Sequence, residues 1–109
     1  MTISRGDVYL VSPAPKGDPR RRRAVVVVSR LTLCASKANS VVCAPVNTHA
    51  WGYSTEVEAG EQEGLKHDSV INCDQLILLP KSALTNYLGT LSLAKKTALN
   101  RALRIALDL

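Results

Sequence analysis

Apolar residues in this chain alternate or run unbroken over short stretches, and only the C-terminal segment changes to a helical period. Residues 5–11, Arg5-Gly6-Asp7-Val8-Tyr9-Leu10-Val11, alternate well enough to predict a strand. Ser12 to Pro19 holds three prolines and a glycine and reads as a loop. Ala24 to Arg30 is the second predicted strand. Its Val25 to Val28 run is β-branched and uniformly apolar, which suits a strand buried on both faces. Leu31 to Asn39 fits either a loop or a short helical turn. Ser40 to Val46 gives a third strand, Asn47 to Trp51 a polar connection, and Tyr53 to Val57 a fourth strand. Gly60 to His67 is an acidic turn region. Ser69-Val70-Ile71 forms a short fifth strand, which Gln75 to Leu79 continues or follows until Pro80 stops it. Tyr87 to Thr90 allows one strand more. From Ser92, a candidate N-cap, Leu99, Leu103, Ala106 and Leu107 fall at helical spacing while Lys95, Lys96, Arg101 and Arg104 point elsewhere. Five to seven short strands and one C-terminal helix predict a mainly β fold, a small barrel partly covered by that helix.

Length and charge narrow the function. The 109 residues fit one domain, 1–109, with one modest core. Phe is absent, so the core must be Val, Leu, Ile and Ala. No apolar run approaches the roughly 18 residues of a membrane span. The N-terminus lacks the apolar stretch of a signal peptide, so a cytoplasmic protein with no membrane partner is expected. Cys34, Cys43 and Cys73 show no CxxC spacing and, with His49 and His67 as the sole histidines, suggest neither a disulfide framework nor a metal site. The thiols are expected to pack as small apolar groups. The net charge of +5 is uneven, with +6 in residues 1–55 and −1 in residues 56–109. A basic half of this kind attracts polyanions.

Three segments could carry chemistry. Arg20 to Arg23 lead straight into the valine strand. The rigid strand fixes Arg23, whose planar paired donors match a phosphate. Arg20, Arg21 and Arg22 lie further into the loop and suit general attraction for a nucleic-acid backbone. Next, Pro45-Val46-Asn47-Thr48-His49 sets three hydrogen-bonding side chains in succession as it leaves a strand. Imidazoles titrate near neutrality, so His49 could accept a proton from a ribose hydroxyl, although turn residues and lone histidines are commonly inert. Finally, Asn72-Cys73-Asp74-Gln75 interrupts an apolar stretch, either as a bulge or with polar groups facing a groove. Asp74 could there anchor a loop arginine. Tyr9, Trp51 and Tyr53 suit core packing or a dimer contact, with stacking on a splayed base as the other use.

Taken in order, these pieces resemble the MazF/PemK family of type II toxins over about Ser4 to Leu107. The matching residues are Arg5-Gly6-Asp7-Val8-Tyr9, Arg23 ahead of Val25 to Ser29, Pro45-Val46-Asn47-Thr48, Gly52 to Val57, Ser69 to Gln75, and Leu88-Gly89-Thr90-Leu91. The resemblance implies an SH3-like barrel of the CcdB/PemK type and a homodimer. It also implies a growth-arresting endoribonuclease that needs no metal or other cofactor and cuts single-stranded RNA, with messenger RNA as the expected class and transfer or ribosomal RNA as the others. The ribose 2′-OH would attack the neighbouring phosphate, leaving 2′,3′-cyclic phosphate and 5′-OH ends. An acidic antitoxin would be the protein partner. By position Arg23 matches the family's catalytic arginine, with Thr48 and His49 completing the candidate catalytic set. Arg20, Arg21, Arg22, Asn47, Asn72 and Asp74 form the candidate RNA-binding set. The chain departs from the family in four places. Ala24 stands where proline is usual, Asn47 where the catalytic threonine is most often found, and Asn72 where some members carry arginine. Arginines replace a Glu-Gln-Gly run in the first loop. Two other readings share the fold: an RNA-binding barrel without catalysis, and a CcdB-type protein that binds gyrase.

Overall fold

The computed structural model describes residues 2–12 and 22–109. The expected positions of Arg20 and Arg21 lie outside the described residues. The described residues form seven strands: β1 Asp7–Val11, β2 Arg23–Val27, β3 Ser40–Asn47, β4 Glu56–Ala59, β5 Ser69–Asn72, β6 Ile77–Pro80 and β7 Asn86–Thr90. Two helices, α1 Leu31–Cys34 and α2 Leu93–Leu107, and two 3-10 turns, Glu61–Glu63 and Lys81–Ala83, complete the order. The strands form one antiparallel sheet in the order β4-β5-β3-β2-β1-β7, with β6 pairing separately to β3.

The long strand β3 is the hub. Its first half pairs with β6, its middle with β2 and its last two residues, Val46 and Asn47, with β5. Alternation then sorts the side chains by face. Val26, Val28, Ala44 and Val46 join Leu91, Leu99, Ala102 and Leu103 in one core cluster, which α2 covers. Val25, Val27, Val41 and Cys43 join Ile3, Tyr9, Cys34 and Leu84 in a second cluster on the other face. Val25, Val26 and Val27 are each fully buried, as a strand enclosed on both sides requires. At about 25 cal/mol per Å² of apolar surface, such burial is the main stabilising term.

The Arg5-Gly6-Asp7 segment serves the scaffold. Arg5 donates through Nη1 to the Val28 carbonyl and through Nη2 to Asn100 Oδ1 at 2.5 Å, fastening the start of β1 to α2. Asp7 Oδ2 accepts from the Ser4 amide at 2.9 Å. Ser92 caps α2, its side chain accepting from the Lys95 amide. The buried stripe of α2 is Leu99, Ala102 and Leu103. Leu107, expected inside, is exposed in the final turn, where Asp108 ends the helix in the left-handed conformation.

The two ends of the sheet meet without a ladder. Gly64, with φ of +85°, lies against β7 so closely that a Cβ there would stand 2.1 Å from the Leu88 carbonyl oxygen. A Cβ on Gly89 would stand 2.8 Å from the Glu63 carbonyl oxygen. This backbone-to-backbone seam curls the sheet into a half-barrel.

Several boundaries differ from expectation, β2 ending at Val27 rather than Arg30 among them, and two have a physical reason in the contacts. Strand β4 runs Glu56–Ala59 rather than Tyr53 to Val57, because the amides of residues 51–53 are taken by the Glu56 carboxylate. Strand β2 begins at Arg23, whose backbone pairs opposite Val11.

Candidate active site

The β2–β3 ladder pairs Val25 with Pro45 and Val27 with Cys43. Extended by two residues, that register sets Arg23 opposite Asn47, the last residue of β3. The side chains meet there: Arg23 Nη2 donates to Asn47 Oδ1 at 2.5 Å. Both residues are buried, with 8% and 7% of their surface exposed. A guanidinium so placed is held at the end of the sheet. Asn47 is a neutral amide, so this contact orients the guanidinium without itself cancelling its charge.

Asn47 is held in turn. Its Nδ2 donates to Gln75 Oε1 at 3.5 Å. Gln75 follows a turn that the neighbouring residues shape closely. The Asp74 amide donates to Asn72 Oδ1 at 2.9 Å, the Cys73 amide to the Thr55 carbonyl at 3.0 Å, and Thr55 Oγ1 to Asp74 Oδ2 at 2.5 Å. Asn72 and Asp74, both in the expected RNA-binding set, thus build the turn that presents Gln75. Among the described residues Asp74 is held by Thr55. Gln75 closed a segment singled out in the sequence but was not among the candidate site residues, and Thr55 was in neither group. The signal was the antiparallel register, which only the pairing of β3 with β5 discloses.

The loop that follows β3 is also ordered by one residue. Glu56 accepts the amides of Trp51, Gly52 and Tyr53, the last two at 2.8 and 2.9 Å. Desolvation of the Glu56 carboxylate acts upward on its pKa, but the three amides together outweigh it and hold the group below its ordinary value. Gly52 takes φ of +81°, a left-handed conformation that suits glycine. Thr48, His49, Trp51 and Tyr53 are all exposed. The His49 and Trp51 rings meet edge to face, with centroids 4.4 Å apart and planes at 80°. Of the three aromatics considered for packing, only Tyr9 is buried.

A broad concavity of about 840 Å³ opens on the other side of this loop. Thr48 and Ala50 help to line it, together with Glu58, Glu61, Glu63 and Asp68 and the cations Lys66 and Lys95. Arg23 and Asn47 do not, and its carboxylates outnumber its ammonium groups, which disfavours a phosphate backbone. The structure therefore brings Arg23, Asn47 and Gln75 together, while Thr48 forms part of an acidic wall. Arg22, at the start of the described segment, is exposed.

The three cysteines are buried and unpaired. Burial pushes the Cys43 thiol up to about 12 and the Cys73 thiol up to about 11, and it also raises Cys34. All three are thus protonated and shielded at neutral pH. Native protein treated with a thiol-specific disulfide reagent is expected to show almost no labelling, against three equivalents in denaturant. Rapid labelling in the native state would contradict that burial.

No helix is long and apolar enough to cross a membrane among the described residues. Comparison with known proteins matches the fold. Endoribonuclease MazF3 of Mycobacterium tuberculosis is 32% identical over 89 residues, covering 82% of this chain and 85% of that protein. The structure of Mycobacterium tuberculosis toxin MazF-mt6 superposes with a TM-score of 0.81 at 26% identity, over 94% of this chain and 97% of that one. A mycobacterial endoribonuclease in complex with its cognate antitoxin superposes with a TM-score of 0.84 at 27% identity, over 98% and 96% of the two chains. The family model for the PemK-like, MazF-like toxin of type II toxin–antitoxin systems matches residues 4–107. Since that match spans nearly the whole chain, the protein belongs to the PemK-like, MazF-like toxin family.

Proposed function

We propose that this protein is an endoribonuclease toxin that cuts single-stranded RNA without a metal ion. The observation that carries the reading is the buried Arg23 guanidinium, fixed by Asn47 at the ends of adjacent strands. The ribose 2′-oxygen attacks the adjacent phosphorus and forms a new P–O bond, and the bond to the 5′-oxygen breaks. The products are a 2′,3′-cyclic phosphate and a 5′-hydroxyl. Negative charge grows on the non-bridging oxygens during this step, and a preorganised cation stabilises it most where water is excluded. Arg23 supplies that cation. His49 is the base that takes the 2′-proton, and the proton then has to reach the leaving 5′-oxygen. Thr48 lines the acidic concavity, so its hydroxyl is assigned no step at the phosphate. Asn47 takes the place of the family's usual threonine and works as a positioning residue, with Asn72 and Asp74 shaping the turn behind it. Arg20, Arg21 and Arg22 attract the RNA backbone.

The basic half of the chain also fits an acidic antitoxin. The active form is proposed to be a homodimer in the cytoplasm, arresting growth by cutting messenger RNA. The test is incubation with a long single-stranded RNA in EDTA, followed by mapping of the fragment ends. Cuts at a recurring short motif, with 5′-hydroxyl and 2′,3′-cyclic phosphate termini, are expected. Cleavage that needs an added divalent metal, or that leaves 5′-phosphates, would overturn the mechanism. Intact RNA bound in a salt-sensitive way would identify a binding barrel instead.

A further inference from the structure

We propose that the loop between β3 and β4 is a nucleobase-stacking shelf centred on Trp51, which holds a base flanking the phosphate at Arg23. The inference rests on the proposed RNA-cleaving function and adds a base site that the cleavage chemistry does not require.

Four observations carry it. First, Trp51 and Tyr53 expose 56% and 61% of their surface on a short loop, although large aromatics are ordinarily covered. Second, the loop is rigid. Glu56 accepts three successive amides from it, so the indole is presented with little ordering left to do on binding. Third, a stacking face remains. In an edge-to-face pair one ring meets the other's face on one side only, so the His49 contact leaves an indole face open. Fourth, the loop is sided. Thr48 and Ala50 line the acidic concavity, whereas His49 and Trp51 meet each other in the alternate positions. Asn47, two residues before His49, faces Arg23. An RNA strand kept off the carboxylates is thereby directed along the side that carries Asn47, His49 and Trp51.

Reach agrees with this placement. Four residues separate Asn47 from Trp51, so their Cα atoms lie within about 14 Å even in a fully extended chain. A nucleotide flanking the bound phosphate can span that gap. The loop from Thr48 to Thr55 contains no carboxylate, and the Glu56 charge is directed at its own amides. Indole is a sequence-tolerant platform, since every base has a π face. Preference would then come from a neighbour, with the Tyr53 hydroxyl within the same loop to read a base edge.

Trp51 is the sole tryptophan, so its emission reports on this loop alone. The probe is a set of 2′-O-methyl RNA oligonucleotides of about ten nucleotides, within the usual footprint of single-strand binders. They lack the attacking hydroxyl and stay intact with wild-type protein. Saturable quenching is expected, and it is lost when the stacked nucleotide is made abasic. Trp51→Ala is expected to weaken binding about tenfold or more, while Trp51→Phe retains most of the affinity. Circular dichroism and sedimentation of both variants are expected to match wild type. Unchanged affinity in Trp51→Ala would overturn the shelf. If that variant also changed its sedimentation, the surface would be an interface between copies. The cleavage assay decides the other reading separately: an uncut RNA with intact quenching removes the nuclease and leaves the base site standing.

Discussion

Replacing Arg23 by alanine is expected to lower RNA cleavage by about a thousandfold or more, since single preorganised charge-stabilising groups carry factors of about 100 to 1,000 and phosphoryl-binding arginines more. The loss belongs in the chemical step, so single-turnover rates fall much further than RNA affinity. Arg23→Lys is a useful companion. It keeps the charge but loses the planar fork that meets Asn47, and an intermediate rate is expected. Asn47→Asp tests the same geometry from the other side. A carboxylate would hold the guanidinium but cancel its charge, so activity falls although the contact strengthens. Both residues are buried, so Arg23→Ala also strands the Asn47 carbonyl at about 1–3 kcal/mol. Thermal unfolding must therefore accompany the rates. A well-folded Arg23→Ala protein that cuts at the wild-type rate would remove Arg23 from the mechanism.

The largest expected effect on stability is at the seam. Gly64→Ala introduces two costs at once. Its φ of +85° is left-handed, which costs a non-glycine residue about 1–2 kcal/mol. Its Cβ would also stand 2.1 Å from the Leu88 oxygen and 2.6 Å from the Leu88 carbonyl carbon, so β7 must move. A total of about 3–5 kcal/mol is expected, a large part of the stability of a small domain. The melting temperature then falls by about 15 °C or more. Gly52→Ala separates the two costs. It shares the left-handed backbone, with φ of +81°, but its Cβ would meet nothing within 4 Å. Only the torsional part, about 1–2 kcal/mol, is expected there. Equal losses for the two variants would show that the seam tolerates the added atom.

Much of the scaffold was legible because it obeys simple periodicities. The valine run of β2 can be enclosed on both faces and little else, and Ser92 with the later leucines marks α2 clearly. Local pattern failed where a distant group competes for the backbone. Tyr53-Ser54-Thr55-Glu56-Val57 alternates like a strand, yet its first residue donates to Glu56 and the ladder begins three residues later. The site was legible by residue type but not by partnership. Arg23 and Asn47 could each be singled out, but they are 24 residues apart and only the sheet register sets them opposite one another. Gln75 lay in a segment that stood out, but its contact with Asn47, 28 residues away, could not be read locally. Of the aromatics expected in the core or at a dimer contact, Tyr9 is enclosed in the core while Trp51 and Tyr53 lie outside it.

Arg23 and Asn47 sit at the termini of neighbouring strands, and this has a consequence for how such proteins diversify. The pair is set by the twist of the sheet, whereas the loop carrying Trp51 and Tyr53 is set by one glutamate within its own reach. The two are separable modules. Loop sequences can drift, and with them the preferred target, while the guanidinium stays where it is. Grafting the segment 50–54 between relatives would then exchange the cutting motif and spare the rate of the bond-breaking step.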